Sequence, residues 1–253
     1  NLSDARVPKP RHRVAPSCVD GRYDVEDQLA RGGMALVYRA RDKVTGRMVA
    51  LKWLDMYGAA EQQLRRHIDL FEREYHILQQ LSHPRVVQCY EYGVHDGNPF
   101  YTMELLDGGD LRDLAPLPWQ DVCRIAYDVC SALSLLHSRQ LVHLDVSPRN
   151  VRRTADGTAK LIDFGLLAPM GVCALAAGTP AFMAPEVLCN VTVDGRADLF
   201  SLGATLYYVL TGRAAYPVQR IEDLHKAWLS SPTAPARVVP AIPAALSALV
   251  LSM

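Results

Sequence analysis

Apolar residues recur at helical spacing over two long stretches of the chain. Within residues 61–80 and 119–138 they occur at steps of three and four, which places them on one face of a helix. These positions are Leu64, Ile68, Phe71, Tyr75 and Leu78 for the first stretch, with Leu81 directly after it, and Val122, Ile125, Ala126, Val129, Ala132, Leu133 and Leu136 for the second. The spacing therefore predicts two amphipathic helices that each pack one face against a core.

Shorter apolar runs bounded by turn-forming residues indicate β-strands. Three strands are predicted within residues 23–54, and single strands are predicted at 86–92, 100–105 and 158–162. The pair Asp156-Gly157 is typical of a hairpin turn before the last of these. A hydrophobic helix is predicted from Asp198 onward. After Gly212 the pattern weakens, and it predicts a helix at 221–229, an extended stretch at 232–243 and a further helix from 244.

Composition excludes several classes of protein. The 253 residues are enough for one large domain or two small lobes with a core, and 27 basic residues balance 27 acidic ones. That balance gives no electrostatic case for binding nucleic acid or a membrane surface. No apolar run reaches the roughly 18 residues of a membrane-spanning helix. Residues 1–20 combine three prolines with four basic side chains and are expected to be a flexible basic segment.

Six cysteines are present, and none forms a Cys-x-x-Cys pair. Most lie in apolar runs, so we expect reduced, buried thiols in a cytoplasmic protein.

Three side chains suggest the chemistry. Asp145 precedes Asn150 by five residues, and Asp163 follows Asp145 by eighteen. A loop, the predicted hairpin and a turn can bring these three side chains to one place. Two oxygen ligands for a hard divalent cation and a separate base are what phosphoryl transfer requires. Taken alone, residues 163–165 would be no more than a turn.

Residues 143–150 and 163–165 resemble the catalytic loop and the magnesium-binding turn of eukaryotic-type protein kinases. Residues 31–34 and 178–186 look most like the bacterial serine/threonine branch of that family. The resemblance implies an α+β, bilobal kinase fold, with a β-rich N-lobe at 21–105 and a helical C-lobe at 106–253 that is incomplete at its end. It also implies that the chain uses ATP and Mg²⁺ and phosphorylates serine or threonine hydroxyls of a protein substrate.

The resemblance assigns catalytic roles residue by residue. Asp145 matches the catalytic base, and Thr179 matches the residue that braces it. The matching metal ligands are Asn150 and Asp163. Lys52 matches the lysine that holds the nucleotide phosphates and pairs with a helix glutamate, here Glu74. Asp198 matches an aspartate that anchors the backbone of the catalytic loop, although its position is equally suited to capping a helix.

The nucleotide-binding positions follow in the same way. The glycine-rich turn over the phosphates corresponds to Ala30, Gly32, Gly33 and Val37. Ala50 and Val37 would cover one face of the adenine, and Arg152 occupies the position below the other face. The expected hinge residues are Met103 behind the base, Glu104 and Leu106 with backbone contacts to it, and Asp110 at the ribose.

Four departures from the family pattern support a second hypothesis, a pseudokinase that acts as a nucleotide-binding or scaffolding signalling module. Leu144 replaces an arginine, Ser147 replaces a lysine, and two of the three glycines of the glycine turn are replaced by Ala30 and Ala35. Arg152 and Arg153 replace apolar residues. Arg152 would stack on the base, intrude into its pocket, or face solvent while Val151 packs instead. Because all five residues that handle phosphate, metal and proton are present, we favour the active kinase.

Two further expectations concern regulation and substrate. Residues 166–177 contain no serine, threonine or tyrosine, so no phosphate in this segment is expected to activate the protein. Arg149 stands where many kinases that prefer basic peptides carry a glutamate. A cation at this position would repel arginine-rich substrates, so we expect neutral or acidic acceptor sequences.

Overall fold

The computed structural model describes residues 15–56, 60–172, 177–189, 191–218 and 220–253, which form two compact units. The first unit comprises the described residues up to Ser82 together with Val87–Leu105. The second comprises His83–Val86 and Leu106–Met253. Residues 83–86 were expected in the first lobe. They belong to the second unit because Arg85 pairs with Asp128 at 2.6 Å and Val86 bridges to a strand of that unit.

The first unit is an antiparallel sheet with one long helix. Its strands are β1 (Cys18–Val19), β2 (Tyr23–Arg31), β3 (Ala35–Asp42), β4 (Met48–Leu54), β5 (Cys89–His95) and β6 (Asn98–Glu104), in the spatial order β1-β2-β3-β4-β6-β5. Helix α1 spans Glu61–Gln80, as predicted. The three strands predicted within 23–54 are confirmed, whereas β5 begins three residues later and β6 two residues earlier than predicted.

The last residues of the segment expected to be flexible are ordered. Strand β1 pairs with β2, and Val19 is fully buried. The rest of that segment, residues 1–14, lies outside the described residues.

Large aromatic side chains fill one face of the sheet. Trp53 and Phe100 are buried and stack with their ring centroids 6.5 Å apart. Their neighbours in this core include Val19, Tyr23, Leu36, Tyr38 and Leu51. At its rim, Arg22 donates to both carboxylate oxygens of buried Asp42, at 2.7 and 2.8 Å. This charged pair holds the pKa of Asp42 well below its usual range.

The second unit is mainly helical. Its helices are α2 (Leu111–Leu114), α3 (Trp119–Ser138), α4 (Pro185–Leu188), α5 (Gly195–Thr211), α6 (Leu224–Ala227), α7 (Pro235–Val238) and α8 (Ala244–Ser252). Its short strands are β7 (Leu141–Val142), β8 (Val151–Arg153), β9 (Ala159–Leu161) and β10 (Ala168–Pro169), paired antiparallel as β7-β10 and β8-β9. Single 3₁₀ turns occur at Pro180–Phe182 and Ile221–Asp223. Helix α3 has the bounds that its apolar stripe predicts.

Three predictions for this unit were wrong in detail. The α5 N-cap is Asp194, which accepts a hydrogen bond from the backbone of Arg196, so the capping role considered for Asp198 does not apply. The helix predicted at 221–229 is a 3₁₀ turn followed by the four residues of α6. The stretch predicted to be extended at 232–243 contains α7, which Pro235 can begin because proline suits the first turn of a helix.

The expectation of buried cysteines is also wrong for the residues that the structure describes. Cys123, Cys130 and Cys189 are exposed, and Cys18 and Cys89 are only partly buried. Cys123 and Cys130 lie in the apolar run that forms α3, but their positions fall on its solvent side. The sixth, Cys173, lies outside the described residues.

Across the described ranges, no helix combines the length and apolar character needed to cross a bilayer.

Candidate active site

The β8-β9 hairpin brings the end of the loop at residues 143–150 close to the turn at residues 163–165. Val151 pairs with Leu161, and the N–H of Ile162 donates to the carbonyl of Asn150 at 2.9 Å. Asn150 therefore lies beside the backbone that leads directly into Asp163. The hairpin predicted from the Asp156-Gly157 turn is what connects the two proposed metal ligands.

Asp145 is held by three donors. Its Oδ1 atom accepts hydrogen bonds from the hydroxyl of Thr179 at 2.9 Å and from the backbone N–H of the same residue at 3.0 Å. Its Oδ2 atom accepts from Nδ2 of Asn150 at 2.7 Å, and that nitrogen also donates to the Asp145 carbonyl at 2.9 Å. Asp145, Asn150 and Thr179, singled out from the sequence, thus meet in one hydrogen-bonded group.

The carboxyl group of Asp145 is in an environment that favours proton uptake. Burial is the largest effect and raises its pKa, and the negative charge of Asp163 raises the pKa further. The charge of His143 and the hydrogen bonds from Thr179 act in the opposite direction without cancelling the rise. A partly buried carboxyl with a raised pKa next to a second carboxyl is typical of a functional site.

Asp198 anchors the loop that carries Asp145. Its fully buried carboxylate accepts from the backbone N–H of His143 at 2.9 Å and from that of Leu144 at 2.9 Å. Leu144 has a φ of 66°, a conformation that residues with a side chain seldom adopt. The two hydrogen bonds hold the loop in this conformation, as the family resemblance implied for Asp198.

Sequence reasoning missed two histidines that support this loop. Nε2 of His137, at the end of α3, lies 2.9 Å from the Asp198 carboxylate. The buried ring of His143 accepts a hydrogen bond from the Asp145 N–H at 3.2 Å and packs edge-on against Phe164. The buried partner of His137 lies 61 positions further on, so no local pattern indicates the contact.

In the first unit, Lys52 and Glu74 form a nearly buried ion pair. The ammonium group lies 2.7 and 2.8 Å from the two carboxylate oxygens, and Glu74 is only 2% exposed. The hydroxyl of Tyr101 donates to the same carboxylate at 3.0 Å. Glu72, two residues earlier on the same helix, accepts from Tyr92, so it is Glu74 that pairs with Lys52.

The glycine-rich turn joins β2 and β3. The N–H of Gly32 donates to the carbonyl of Ala35 at 2.8 Å, and a Cβ atom at Gly33 would meet nothing within 4 Å. Ala35 is buried, whereas Ala30 is exposed and pairs with Val37 across the two strands. Of the two alanines that replace family glycines, only Ala30 exposes its methyl group.

The remaining nucleotide-binding positions of the first unit lie on adjacent strands. Ala50 on β4 pairs with Met103 on β6, and the N–H of Glu104 donates to the carbonyl of Gln88 at 2.8 Å. That N–H is therefore already engaged.

In the second unit, residues 106–110 run along strand β8. The N–H of Gly108 donates to the Arg153 carbonyl at 3.0 Å, and the Arg153 N–H donates to Gly109 at 2.9 Å. A Cβ atom at Gly108 would lie 2.6 Å from the Arg153 carbonyl oxygen, so the close approach requires glycine. Oδ1 of Asp110 caps α2 by accepting from Arg112 and Asp113.

Arg152 points toward this segment. Its Nε donates to the carbonyl of Leu106 at 3.3 Å, and its side chain is half-buried, while Val151 is fully buried. Arg152 also lies directly opposite Lys160 in the hairpin, a pairing of like charges that destabilises a sheet. Of the three arrangements considered from the sequence, the one in which Arg152 faces only solvent does not match this contact.

Comparison with known proteins agrees with this geometry. A family model for the protein kinase domain matches residues 23–241. The chain is 34% identical over 215 residues to the serine/threonine-protein kinase PknL of Mycobacterium tuberculosis, an alignment that covers 81% of this chain and 53% of the relative. It is 39% identical over 205 residues to the DNA damage-responsive serine/threonine-protein kinase RqkA of Deinococcus radiodurans, covering 76% of this chain and 30% of the relative.

A third relative spans more of the chain. Serine/threonine-protein kinase PksC of Streptomyces coelicolor is 34% identical over 250 residues, which is 91% of this chain and 44% of that protein. The chain thus spans about half, or less, of the length of these relatives. The predicted α+β kinase fold is confirmed, and the chain belongs to the protein kinase family, in its bacterial serine/threonine branch.

Proposed function

We propose that this chain transfers the γ-phosphate of ATP to serine or threonine hydroxyls of a protein substrate. The observation that carries the proposal is the contact of Asp145 with both Thr179 and Asn150, because it fixes a partly buried carboxylate in one orientation. Phosphoryl transfer requires an oriented general base close to a residue that can bind Mg²⁺. Members of this family use ATP and Mg²⁺ in general. Because catalysis consumes ATP, we also propose that the domain acts in the cytoplasm.

Asp145 orients the attacking hydroxyl and accepts its proton. Thr179 holds Oδ1 through two hydrogen bonds, and Asn150 holds Oδ2, so the carboxylate has little freedom to rotate. Such positioning lowers the barrier by removing the entropy loss of aligning the base with the hydroxyl. Lys52, which Glu74 holds by a bidentate contact, binds the phosphates of ATP as a point charge.

Asn150 and Asp163 are the proposed ligands of Mg²⁺. The amide nitrogen of Asn150 is engaged with Asp145, which leaves the amide oxygen for a cation. No group of three His, Cys, Asp or Glu side chains suited to a metal occurs among the described residues. That is consistent with Mg²⁺, which binds through one or two protein ligands together with phosphate oxygens and water. When bound, Mg²⁺ would neutralise charge on the phosphates.

Val37, Ala50 and Met103 are proposed to line the adenine with apolar surface. Glu104 and Leu106 would contact it through their backbone, and Asp110 would bind the ribose. Ala30, Gly32 and Gly33 would cover the phosphates.

The Arg152→Leu variant is expected to bind Mg²⁺–ATP about tenfold more tightly than the wild type, because leucine supplies apolar surface where a guanidinium now stands. The substitution also frees the carbonyl of Leu106, which Arg152 now occupies. Calorimetric titration of both proteins measures the difference. Arg153→Leu is the matched control, since Arg153 donates to Gly157 instead and its replacement should leave the affinity unchanged. Tight binding by the wild type, unimproved in Arg152→Leu, would contradict this role.

Peptide acceptors that are phosphorylated well are expected to be neutral or acidic around the serine or threonine. Arg149 is exposed on the loop that carries Asp145, and its charge would repel arginine-rich peptides. A peptide array measures the preference directly. The Arg149→Glu variant should shift it toward basic acceptors. Dominance of arginine-rich acceptors with the wild-type protein would be incompatible with the proposal.

A phosphotransfer assay tests the function itself. Purified protein is incubated with γ-labelled ATP, Mg²⁺ and a mixture of serine- and threonine-containing proteins, and a parallel sample contains EDTA. The kinase hypothesis predicts label on serine or threonine that EDTA abolishes. ATP binding without transfer would instead favour the alternative, a signalling module that does not catalyse.

A further inference from the structure

A row of three polar side chains crosses the sheet of the first unit. Lys52 on β4 lies directly opposite Tyr101 on β6, and Tyr101 lies directly opposite Tyr92 on β5. Side chains of directly opposite residues in an antiparallel sheet point to the same face and lie within contact of one another. Because Lys52 contacts Glu74 of helix α1, all three side chains lie on the face of the sheet that packs against this helix.

The row meets two carboxylates of α1. The hydroxyl of Tyr101 donates to Oε1 of Glu74 at 3.0 Å, and the hydroxyl of Tyr92 donates to Oε1 of Glu72 at 2.8 Å. Hydrogen bonds to a charged acceptor are stronger than those between neutral groups. Strands β5 and β6 are thus each attached to the helix by a phenol–carboxylate hydrogen bond, and the one from β6 ends on the carboxylate that pairs with Lys52.

Aromatic packing holds Tyr101 in one orientation. Its ring centroid lies 5.0 Å from that of Phe71 and 5.9 Å from that of Tyr75, both on α1, and the residue is buried. The ammonium group of Lys52 lies 5.6 Å from the centroid of the same ring. Because packing already immobilises the ring, the hydroxyl donates to Glu74 without a further loss of side-chain freedom.

Under the proposed function, Lys52 has two acceptors to serve. Its ammonium group lies 2.7 and 2.8 Å from the two carboxylate oxygens of Glu74, and the phosphate oxygens of ATP compete for the same N–H donors. Glu74 is buried, so a donor that the ammonium withdraws is costly to lose. A donor that stays with Glu74 when ATP binds lowers this cost. The hydroxyl of Tyr101 is such a donor, since its ring does not have to move.

We infer that Tyr101 is a positioning residue for ATP binding. Its hydroxyl orients the Glu74 carboxylate toward the ammonium group of Lys52 and remains bonded to Glu74 when that ammonium engages phosphate. The inference rests on the proposed function, to which it adds a residue that acts on the phosphates only through Glu74 and Lys52. Phenylalanine would supply the same packing but not the hydrogen bond, so the inference concerns the hydroxyl alone.

The Tyr101→Phe variant tests the inference, because it removes one oxygen atom and keeps the ring. We expect the Kd for Mg²⁺–ATP to rise about tenfold, the lower end of the effect of losing a hydrogen bond to a charged group. The value of kcat at saturating ATP should stay within about threefold of wild type, since Asp145 and its partners are unchanged. Calorimetric titration gives the affinity without any need for phosphate transfer.

The same substitution in the Lys52→Met background separates positioning from a purely structural role. If the hydroxyl acts through the ammonium group, adding Tyr101→Phe to Lys52→Met should change the affinity for ATP by less than twofold. If the hydroxyl only stabilises the fold, it should weaken ATP binding by the same factor in both backgrounds.

Two control variants remove a matched hydroxyl. Tyr23 is buried in the same unit and donates to Glu91 at 2.9 Å, on the core face of the sheet. Tyr23→Phe should lower the melting temperature but leave the Kd for ATP within twofold of wild type. Tyr92→Phe removes the other attachment of α1, and it should raise the Kd less than threefold, because its acceptor is Glu72.

Three results would overturn the inference: unchanged ATP affinity in Tyr101→Phe, an equal loss in Tyr92→Phe, or an undiminished effect in the Lys52→Met background. Wild-type protein that binds ATP and transfers nothing would refute catalysis and leave the role of Tyr101 standing. Wild-type protein that binds no ATP would refute the proposed function. In that case amide hydrogen exchange of α1, measured without nucleotide, decides separately: faster exchange around Glu74 in Tyr101→Phe supports the attachment, and unchanged exchange refutes it.

Discussion

The Asp145→Asn variant is expected to lose phosphoryl transfer while keeping its affinity for Mg²⁺–ATP within a fewfold of wild type. Asparagine has nearly the same shape and can still accept the hydrogen bonds of Thr179 through its amide oxygen. Its NH₂ group cannot accept from Asn150 as Oδ2 does, and it cannot take up the proton of the attacking hydroxyl. General-base catalysis contributes about 10²–10⁴ to the rate, and we expect kcat to fall by a factor in that range. The melting temperature should change little, because the tertiary packing is untouched.

The rate of labelled phosphate transfer gives kcat, and calorimetric titration with ATP on the same preparations gives the affinity. Asp223→Asn is the matched control, since Asp223 is an exposed carboxylate of the same unit. Full activity of the Asp145→Asn variant would show that Asp145 is not the general base.

The second large effect is expected for Lys52→Met. Methionine fills a similar volume but cannot bind phosphate, so we expect kcat/KM for ATP to fall by about two orders of magnitude or more, the size seen when one preorganised charge-stabilising group is lost. The protein should still fold. Its melting temperature should drop, because Glu74 is 2% exposed and loses the ammonium partner at 2.7 Å.

A double-mutant cycle separates the contribution of the pair from that of each residue. If Glu74 acts by holding Lys52, then adding Glu74→Gln to Lys52→Met should reduce activity no further and should restore part of the lost stability. Lys43→Met is the control, since Lys43 is a partly exposed lysine of the same unit that pairs with Asp24. Additive loss of activity in the double variant would mean that Glu74 has another role.

Long periodic helices could be predicted to the residue. Helices α1 and α3 have the bounds that were predicted, because each has twenty residues over which a period of 3.6 accumulates. Strands β5 and β6 were misplaced by two or three residues, since their ends are set by pairing with other strands. Helix α7 has only four residues, too few for periodicity to outweigh a stretch rich in proline.

The site residues could be proposed from the sequence because the spacing of their motifs is local. The contacts that support these residues could not be predicted, because they join residues far apart in the sequence. His137 and Asp198 are 61 positions apart, and the buried Leu144 lies in one apolar cluster with Met183 and Val187. The exposure of the two cysteines of α3 could not be predicted for the same reason. An apolar run indicates a helix, but which side of it faces solvent depends on what the helix packs against.

We propose that Asp145, oriented by Thr179 and Asn150, catalyses transfer of the γ-phosphate to a hydroxyl. It is tested most directly by a single-turnover experiment in which enzyme and acceptor protein are in excess over γ-labelled ATP, with Mg²⁺ present. We expect wild-type protein to move the label to serine or threonine, and Asp145→Asn to bind the same ATP without moving the label. Asp145 is not the catalytic base of a phosphotransferase if wild type binds ATP and transfers nothing, or if both proteins transfer at the same rate.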